Sequence, residues 1–369
     1  MRLILDRRAA RALAVLLPLA LVAACAESRQ ARRYSRARVQ ESLKKLETPG
    51  LVIGEFPLAG RPVVDGDTIR VEGLDSSLRL LAIDTEETIK DKVSRIEVEG
   101  DWGAYLDKRR GRRPGRAGTP MGEEAKRFAI AFFNGVRTVR LERDHPKEIR
   151  DRFDRYLAYA FVLKNGTWVN YNVEAVRAGM APYYTKYGYS RRFHDEFVAA
   201  EKEAREAKRG IWRPGARAYD DYDERRSWWT ARADFIREFE RDAQGRDDFI
   251  MLTNWDSLHR IEKKLGQEVT VLGTVSQIVL GDRGPTRVML SRRQFSDLAL
   301  IFFDKDVFAA SGIGRYQGEF VRVTGVVSEY KNRYNNRRQL QLIINLPSQV
   351  VGSDVPGLDE EPVKAAARP

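Results

Sequence analysis

Cysteine and histidine are nearly absent. The chain of 369 residues has one cysteine, Cys25, and three scattered histidines, His145, His194 and His259. No intramolecular disulfide can form and no zinc-ligand spacing exists. Zinc enzymes, thiol redox catalysts and Ser-His-Asp hydrolases are thereby disfavoured. Long apolar runs are missing too: the stretch from Ala12 to Ala24 is too short to span a bilayer as a stable helix. Acidic residues are outnumbered, 53 Asp plus Glu against 65 Lys plus Arg, for a formal charge of +12. That balance suits a polyanionic partner without specifying nucleic acid. What remains, 43% apolar and 32% charged residues, is a globular composition. The length allows two cores of about 100 to 150 residues each.

Arg2, Arg7, Arg8 and Arg11 precede the apolar stretch, the order of a secretory signal over residues 1–24. Its end, Leu21-Val22-Ala23-Ala24-Cys25, resembles the lipobox of bacterial lipoproteins. That resemblance implies cleavage before Cys25, lipidation of Cys25, and an exported protein held on a membrane of the cell envelope, facing the periplasm or the exterior. An ordinary cleaved signal with an incidental cysteine is the other reading. Residues 25–50 are polar and basic and read as a tether.

From residue 51 the pattern becomes β-like, with runs at 51–56, 61–71 and 78–83 bounded by Gly, Asp or Ser. A helix is expected over 121–134, strands over 136–143 and 156–163, and a hairpin at Asn165-Gly166. Helices over 170–178 and 191–208 follow, each ending at glycine. Residues 214–265 read as a helical linker on the surface, to which no activity is assigned. Five strand-like runs between 267 and 351 fit a second small barrel over 266–352, and 353–369 read as a flexible tail. The expected class is α+β.

The chemistry concentrates between Val64 and Thr88. Asp65, Asp67, Asp84, Glu86, Glu87 and Arg79 lie in a strand-turn-strand setting that is otherwise largely apolar. Carboxylates crowded on strands repel one another unless a cation sits between them. Oxygen ligands without His or Cys select a hard ion, calcium or magnesium. A guanidinium beside such an ion suggests a phosphate clamp. A polar sheet face with surface ion pairs is the other reading of the same residues. Arg79 and Asp84 are five apart, so a regular strand would aim them at opposite faces; for both to serve one site, a bend or bulge near Ala82 to Asp84 must bring them together.

These residues resemble the staphylococcal nuclease family. The resemblance runs from about Gly60 to Trp212. It comprises Val-Val-Asp-Gly-Asp-Thr at 63–68, Arg-Leu-Leu-x-Ile-Asp-Thr-x-Glu-Thr at 79–88, Gly122-Glu-x-Ala125, Asp151-x-Phe-x-Arg155-x-Leu-Ala-Tyr159, Val169-Asn170, Gly179-Met-Ala181 with tyrosines after it, and Gly210-Ile-Trp212. It implies a five-stranded OB-type barrel with three helices and a calcium-dependent phosphodiesterase acting on DNA and RNA. On the matching positions, Asp67 and Asp84 would be calcium carboxylates and Thr85 would lend its carbonyl. Glu87 would hold or deprotonate the attacking water. Arg79 and Arg155 would grip the scissile phosphate.

Three departures stand out. Glu86 replaces the family's usual proline and adds negative charge beside the expected ion. Asp154 and Tyr156 replace glycines around Arg155, so that Asp154 could partly neutralise it. The segment 89–120 is longer than in short members and carries six basic residues in nine, among them Lys108, Arg109 and Arg110, suited to a mobile phosphate-binding arm or to a solvated loop. Tyr183, Tyr184, Tyr187 and Tyr189 fall where the family has tyrosines near the nucleotide, and Tyr187 is the expected contact. In the second barrel, Arg333 lies in a Tyr330–Arg338 loop that mixes aromatics with basic groups, suited to single strands. The expectation is an exported, lipid-anchored, calcium-dependent nuclease of low sequence preference, with DNA or RNA as partner. A catalytically inactive nucleic-acid-binding lipoprotein and an envelope scaffold are the rivals.

Overall fold

The computed structural model of the chain describes residues 50–110, 114–151, 153, 155–291, 298–331 and 338–358. The expected signal at 1–24, Cys25, the expected tether as far as 49, Arg112, Arg113, Asp154, Arg333 and residues 359–369 lie outside them.

Strand β1 (Val52–Asp65) pairs with β4 (Thr138–Glu142) through its first half and with β2 (Thr68–Val71) through its second. The expected separate runs at 51–56 and 61–71 are therefore one long strand and its hairpin partner. Pro57 and Gly60 fall around a register shift between Leu58 and Val63, where the strand can bend without a complete ladder. β3 (Leu78–Leu80) is antiparallel to β2 and parallel to β5 (Tyr156–Lys164), which closes a five-stranded barrel in the order β1-β2-β3-β5-β4. β6 (Thr167–Asn170) extends it through the expected hairpin, whose Asn165 and Gly166 both have positive φ. Ile53, Ile69, Leu78, Leu80, Val139, Leu141, Ala158 and Ala160 fill the core.

Two short helices, α1 (Lys92–Gly100) and α2 (Trp102–Asp107), fold the insertion. Each starts at an aspartate whose side chain accepts a backbone N–H of the first turn, Asp91 from Ser94 and Asp101 from Ala104. The three expected helices follow as α3 (Pro120–Phe133), α4 (Tyr171–Arg177) and α5 (His194–Glu206).

The linker departs from expectation. Helix α6 (Tyr222–Asp242) buries Tyr222, Arg225, Trp228, Trp229, Arg232, Ala233, Ile236 and Phe239, so it is a core element rather than a surface bridge. Trp228 and Trp229 pack with Met121, Tyr184 and Ile211 of the first barrel's surroundings, and Ile236 and Phe239 pack with Leu272 and Phe320 of the second. Val355 and Leu358, expected in a flexible tail, are buried in the tryptophan cluster.

After β7 (Phe249–Met251) and α7 (Ser257–Glu262) come β8 (Glu268–Val279), β9 (Thr286–Ser291) and β10 (Leu298–Phe302). Then follow α8 (Lys305–Ser311), β11 (Phe320–Lys331), β12 (Arg338–Ile343) and the edge strand β13 (Val350–Gly352). The order β8-β9-β10-β12-β11 closes on itself through β11 and β8, with β10 and β12 parallel. This repeats the connectivity of the first barrel, including a helix between the third and fourth strands, and both are OB-type barrels.

Candidate active site

The site forms where β3 ends. Ala82 has φ 60°, a left-handed conformation rare for a residue with a Cβ, and it supplies the bend that strand periodicity demands. The bend is held from several sides. Asn172 Nδ2 donates to the Leu81 carbonyl (2.8 Å), the Tyr184 N–H donates to the Ala82 carbonyl (2.9 Å), and Arg79 Nη2 donates to the Ile83 carbonyl (3.0 Å).

The bend turns Asp84 back onto Arg79. Arg79 Nη2 lies 2.5 Å from Asp84 Oδ1, while Nη1 pairs with Asp67 Oδ1. Two nearly buried carboxylates thus converge on one nearly buried guanidinium. The other oxygen of Asp67 accepts the Thr85 N–H at 3.0 Å, and Oδ1 also accepts the Thr68 hydroxyl at 3.0 Å. Glycine is required at 66 because a Cβ there would press on the Thr85 side chain and on Ala125.

Helix α3 fixes the next residue. Gly122 passes so close to the Glu87 carbonyl that any side chain would collide with it. The Thr119 N–H donates to that carbonyl (2.9 Å), and Glu123 Oε1 accepts the Ile89 N–H (3.0 Å). The Gly-Glu-x-Ala pattern is therefore a clamp on the loop carrying Asp84 to Glu87. The Glu87 carboxylate is partly exposed and takes Arg116 Nη1 at 3.4 Å and Lys90 Nζ at 3.3 Å.

The Glu86 carboxylate meets hydrogen-bond donors of other elements rather than standing open to an ion as the sequence suggests. It is buried and accepts the Thr119 hydroxyl, the Tyr219 N–H (2.7 Å) and the Tyr222 hydroxyl (2.7 Å). Burial raises its pKa, and those hydrogen bonds and Arg225 oppose the shift. Glu86 thus ties the site loop to the start of α6.

Arg155 stands just before β5, two residues ahead of Leu157, the register partner of Arg79. Its Nε and Nη2 grip Asp151 Oδ2 at 2.8 and 2.7 Å, so Asp151 is its observed carboxylate partner. The basic arm is folded rather than loose along its start: Lys108 and Arg109 pair with Glu97 (2.9 and 3.0 Å), and Arg110 pairs with Asp107 and Asp220. Their charge is met by local carboxylates. Among the described basic residues of this segment, Arg116 stands at the site, with Nη2 2.7 Å from Asp84 Oδ1.

Of the four tyrosines, Tyr183 and Tyr184 are buried, and Tyr189 donates to Asp234 at 3.0 Å. Tyr187 is 54% exposed and stands edge-on to Tyr184. Lys186, beside it, lies over the Trp228 ring at 4.4 Å. Burial, with Arg232 adding repulsion, lowers its pKa to about 7. His194 begins α5 and meets the Tyr183 hydroxyl at 3.0 Å, a packing role.

The family profile described as staphylococcal nuclease homologue matches residues 77–214. Thermonucleases of Staphylococcus hyicus and Staphylococcus intermedius are each 30% identical to the chain, over 155 and 166 residues. Those stretches are 41% and 44% of this chain and 72% and 78% of the relatives. The chain belongs to the staphylococcal nuclease family. An uncharacterized protein of Methanocaldococcus jannaschii is 32% identical over 161 residues, 41% of this chain and 68% of that one. Family membership thus rests on the first barrel and its helices. Asp67 precedes the matched segment, and it is the ion pair with Arg79 that joins it to the site.

Among the described residues, no three His, Cys, Asp or Glu side chains gather as a metal cage. The pair of carboxylates that meets on Arg79, Asp67 with Asp84, is an oxygen set of the kind that fits a hard ion completing its shell with carbonyls and water. It does not fit a transition metal that selects nitrogen or sulfur. No described helix is long and apolar enough to cross a membrane.

Proposed function

We propose that the protein is an exported, calcium-dependent nuclease that hydrolyses phosphodiester bonds in DNA or RNA with low sequence preference. The observation that carries this reading is the convergence of Asp67 and Asp84 on Arg79, with Glu87 held one clamped turn away. Calcium, held by Asp67, Asp84 and the Thr85 carbonyl, would supply positive charge to a phosphate oxygen and to water. The protein's own groups do the rest. Glu87, partly exposed, accepts the proton of the attacking water, because water at neutral pH is a poor nucleophile. Arg79 and Arg155 donate to the equatorial oxygens, where negative charge grows in the transition state. Asp151 orients the Arg155 fork in the meantime. Tyr187 offers an exposed ring for a base. Lys108, Arg109 and Arg110 reach a substrate by exchanging Glu97, Asp107 and Asp220 for its phosphates. Tyr330 and Lys331 end β11 just ahead of Arg333, which lies outside the described residues, and these three would help the second barrel retain single strands. Cys25, lipidated, anchors the protein in the envelope.

The reading is tested with plasmid, single-stranded DNA and RNA, each incubated with the purified chain in calcium or in EGTA. Cleavage in calcium alone is expected. Arg79→Ala should lose about 10² to 10³ in kcat, the cost of removing one preorganised donor to the transition state, and Glu87→Gln should be similarly slow. Salt-sensitive binding without cleavage would leave a nucleic-acid-binding protein in place of an enzyme.

A further inference from the structure

The geometry points to Arg116 as an additional catalytic residue of this nuclease, a third guanidinium, supplied by the insertion, that contacts the phosphodiester being cut. The inference rests on the nuclease reading above and deepens it.

Arg116 shares one acceptor with Arg79. Asp84 Oδ1 lies 2.5 Å from Arg79 Nη2 and 2.7 Å from Arg116 Nη2, and Arg116 Nη1 also reaches Glu87 Oε1 at 3.4 Å. Two guanidiniums on one carboxylate oxygen lie within the span of a single phosphate group. Arg79 approaches from the barrel side and is nearly buried, whereas the Arg116 side chain is 51% exposed, where a polymeric substrate can reach it. A cation taking Asp84 as a ligand would compete for the oxygen both guanidiniums now use and turn their donors toward the incoming anion.

The backbone around Arg116 is unusually well held. Arg225 Nη2 donates to the Gly115 carbonyl (2.6 Å). The Tyr219 hydroxyl accepts the Ala117 N–H (2.9 Å) and donates to the Ala117 carbonyl (2.7 Å). The Tyr105 hydroxyl donates to the Gly118 carbonyl (2.7 Å), and Gly118 bridges to Glu87. A solvated arm needs none of these restraints. A group that must meet developing charge without reorganising needs them all. Asp151 holds Arg155 through Nε and Nη2, so Arg116 adds a fork to those of Arg79 and Arg155 rather than replacing either.

The test compares the full chain with Arg116→Ala, Arg116→Lys and Arg95→Ala, the last an exposed arginine on α1 of the same insertion. On single-stranded DNA in calcium, Arg116→Ala should lower kcat about 10² to 10³ fold, with KM changed far less. Arg116→Lys should recover only part of the loss, since an ammonium cannot present the fork. Arg95→Ala should retain wild-type rates. In calcium, with Glu87→Gln as a common background that slows cleavage, the slope of log binding constant against log salt for the same strand should fall by about 0.7 when Arg116→Ala is added, one phosphate contact. Wild-type kcat in Arg116→Ala, or a rate above wild type as removal of an obstructing plug would give, overturns the inference and leaves the nuclease reading standing. Full recovery in Arg116→Lys overturns the fork contact. A wild-type chain that cuts nothing overturns both.

Discussion

Single residues at the site answer to more than one element, and their substitutions report this. Glu86 accepts from Thr119, Tyr219 and Tyr222, so Glu86→Ala strands buried donors and should cost about 2 to 4 kcal/mol of stability. Glu86→Gln, which keeps an acceptor, should cost less. Urea melts of the two variants decide it, and equal losses would contradict the hydrogen-bonded role. Lys186 gives a pH signature. Unfolded, it holds its proton to its ordinary pKa of 10.5, whereas burial and Arg232 bring the folded value to about 7. Between those values the unfolded chain binds the extra proton, so this residue makes stability rise with pH across that window. Lys186→Met should be more stable than wild type at pH 7, with the two melting temperatures converging toward pH 10. Parallel curves would contradict the depressed pKa. The bend at Ala82 was legible because residues five apart cannot share a strand face. The burial of Glu86 was not, since its partners lie 33 to 136 positions away along the chain.

At the scale of elements, barrel strands and three helices are readable because their apolar residues alternate or recur at helical spacing. Helix α6 differs from the surface bridge its sequence suggests for a physical reason: Arg225 and Arg232 occupy its buried stripe and disguise it as a charged surface. Arg225 is neutralised by Asp221 at 2.6 Å. Arg232 pairs with the fully buried Glu319, to which Trp228 Nε1 also donates at 3.2 Å. Arg232 Nε and Nη1 further donate to the carbonyls of Lys186 and Gly318, linking the tyrosine loop of the first barrel to the second. Arg232→Met removes the buried guanidinium that offsets the Glu319 charge and should destabilise by about 3 to 5 kcal/mol. Arg232→Met with Glu319→Leu should recover much of that loss, and a double variant as unstable as the single would contradict the account. The insertion's helices were hidden similarly, since their caps and ion pairs are local polar chemistry rather than an apolar period.

Taken whole, the chain has two OB-type barrels with α6 and the segment around Val355 and Leu358 packed into a common apolar cluster that includes Met121 and Tyr184. The family match ends at residue 214, yet Tyr219, Tyr222 and Arg225 beyond it brace Glu86, Ala117 and Gly115. A chain stopped at residue 213 should therefore melt lower than the full chain and lose most of its cleavage. Undiminished activity in that piece would show that the C-terminal half does not support the site. The most direct test of the whole account is a calcium titration of single-stranded DNA cleavage by the full chain and by Asp84→Asn, with melting curves to show that both are folded. The account predicts saturable calcium dependence in the first and loss of cleavage in the second. Cleavage indifferent to calcium, or undiminished in folded Asp84→Asn, would contradict it.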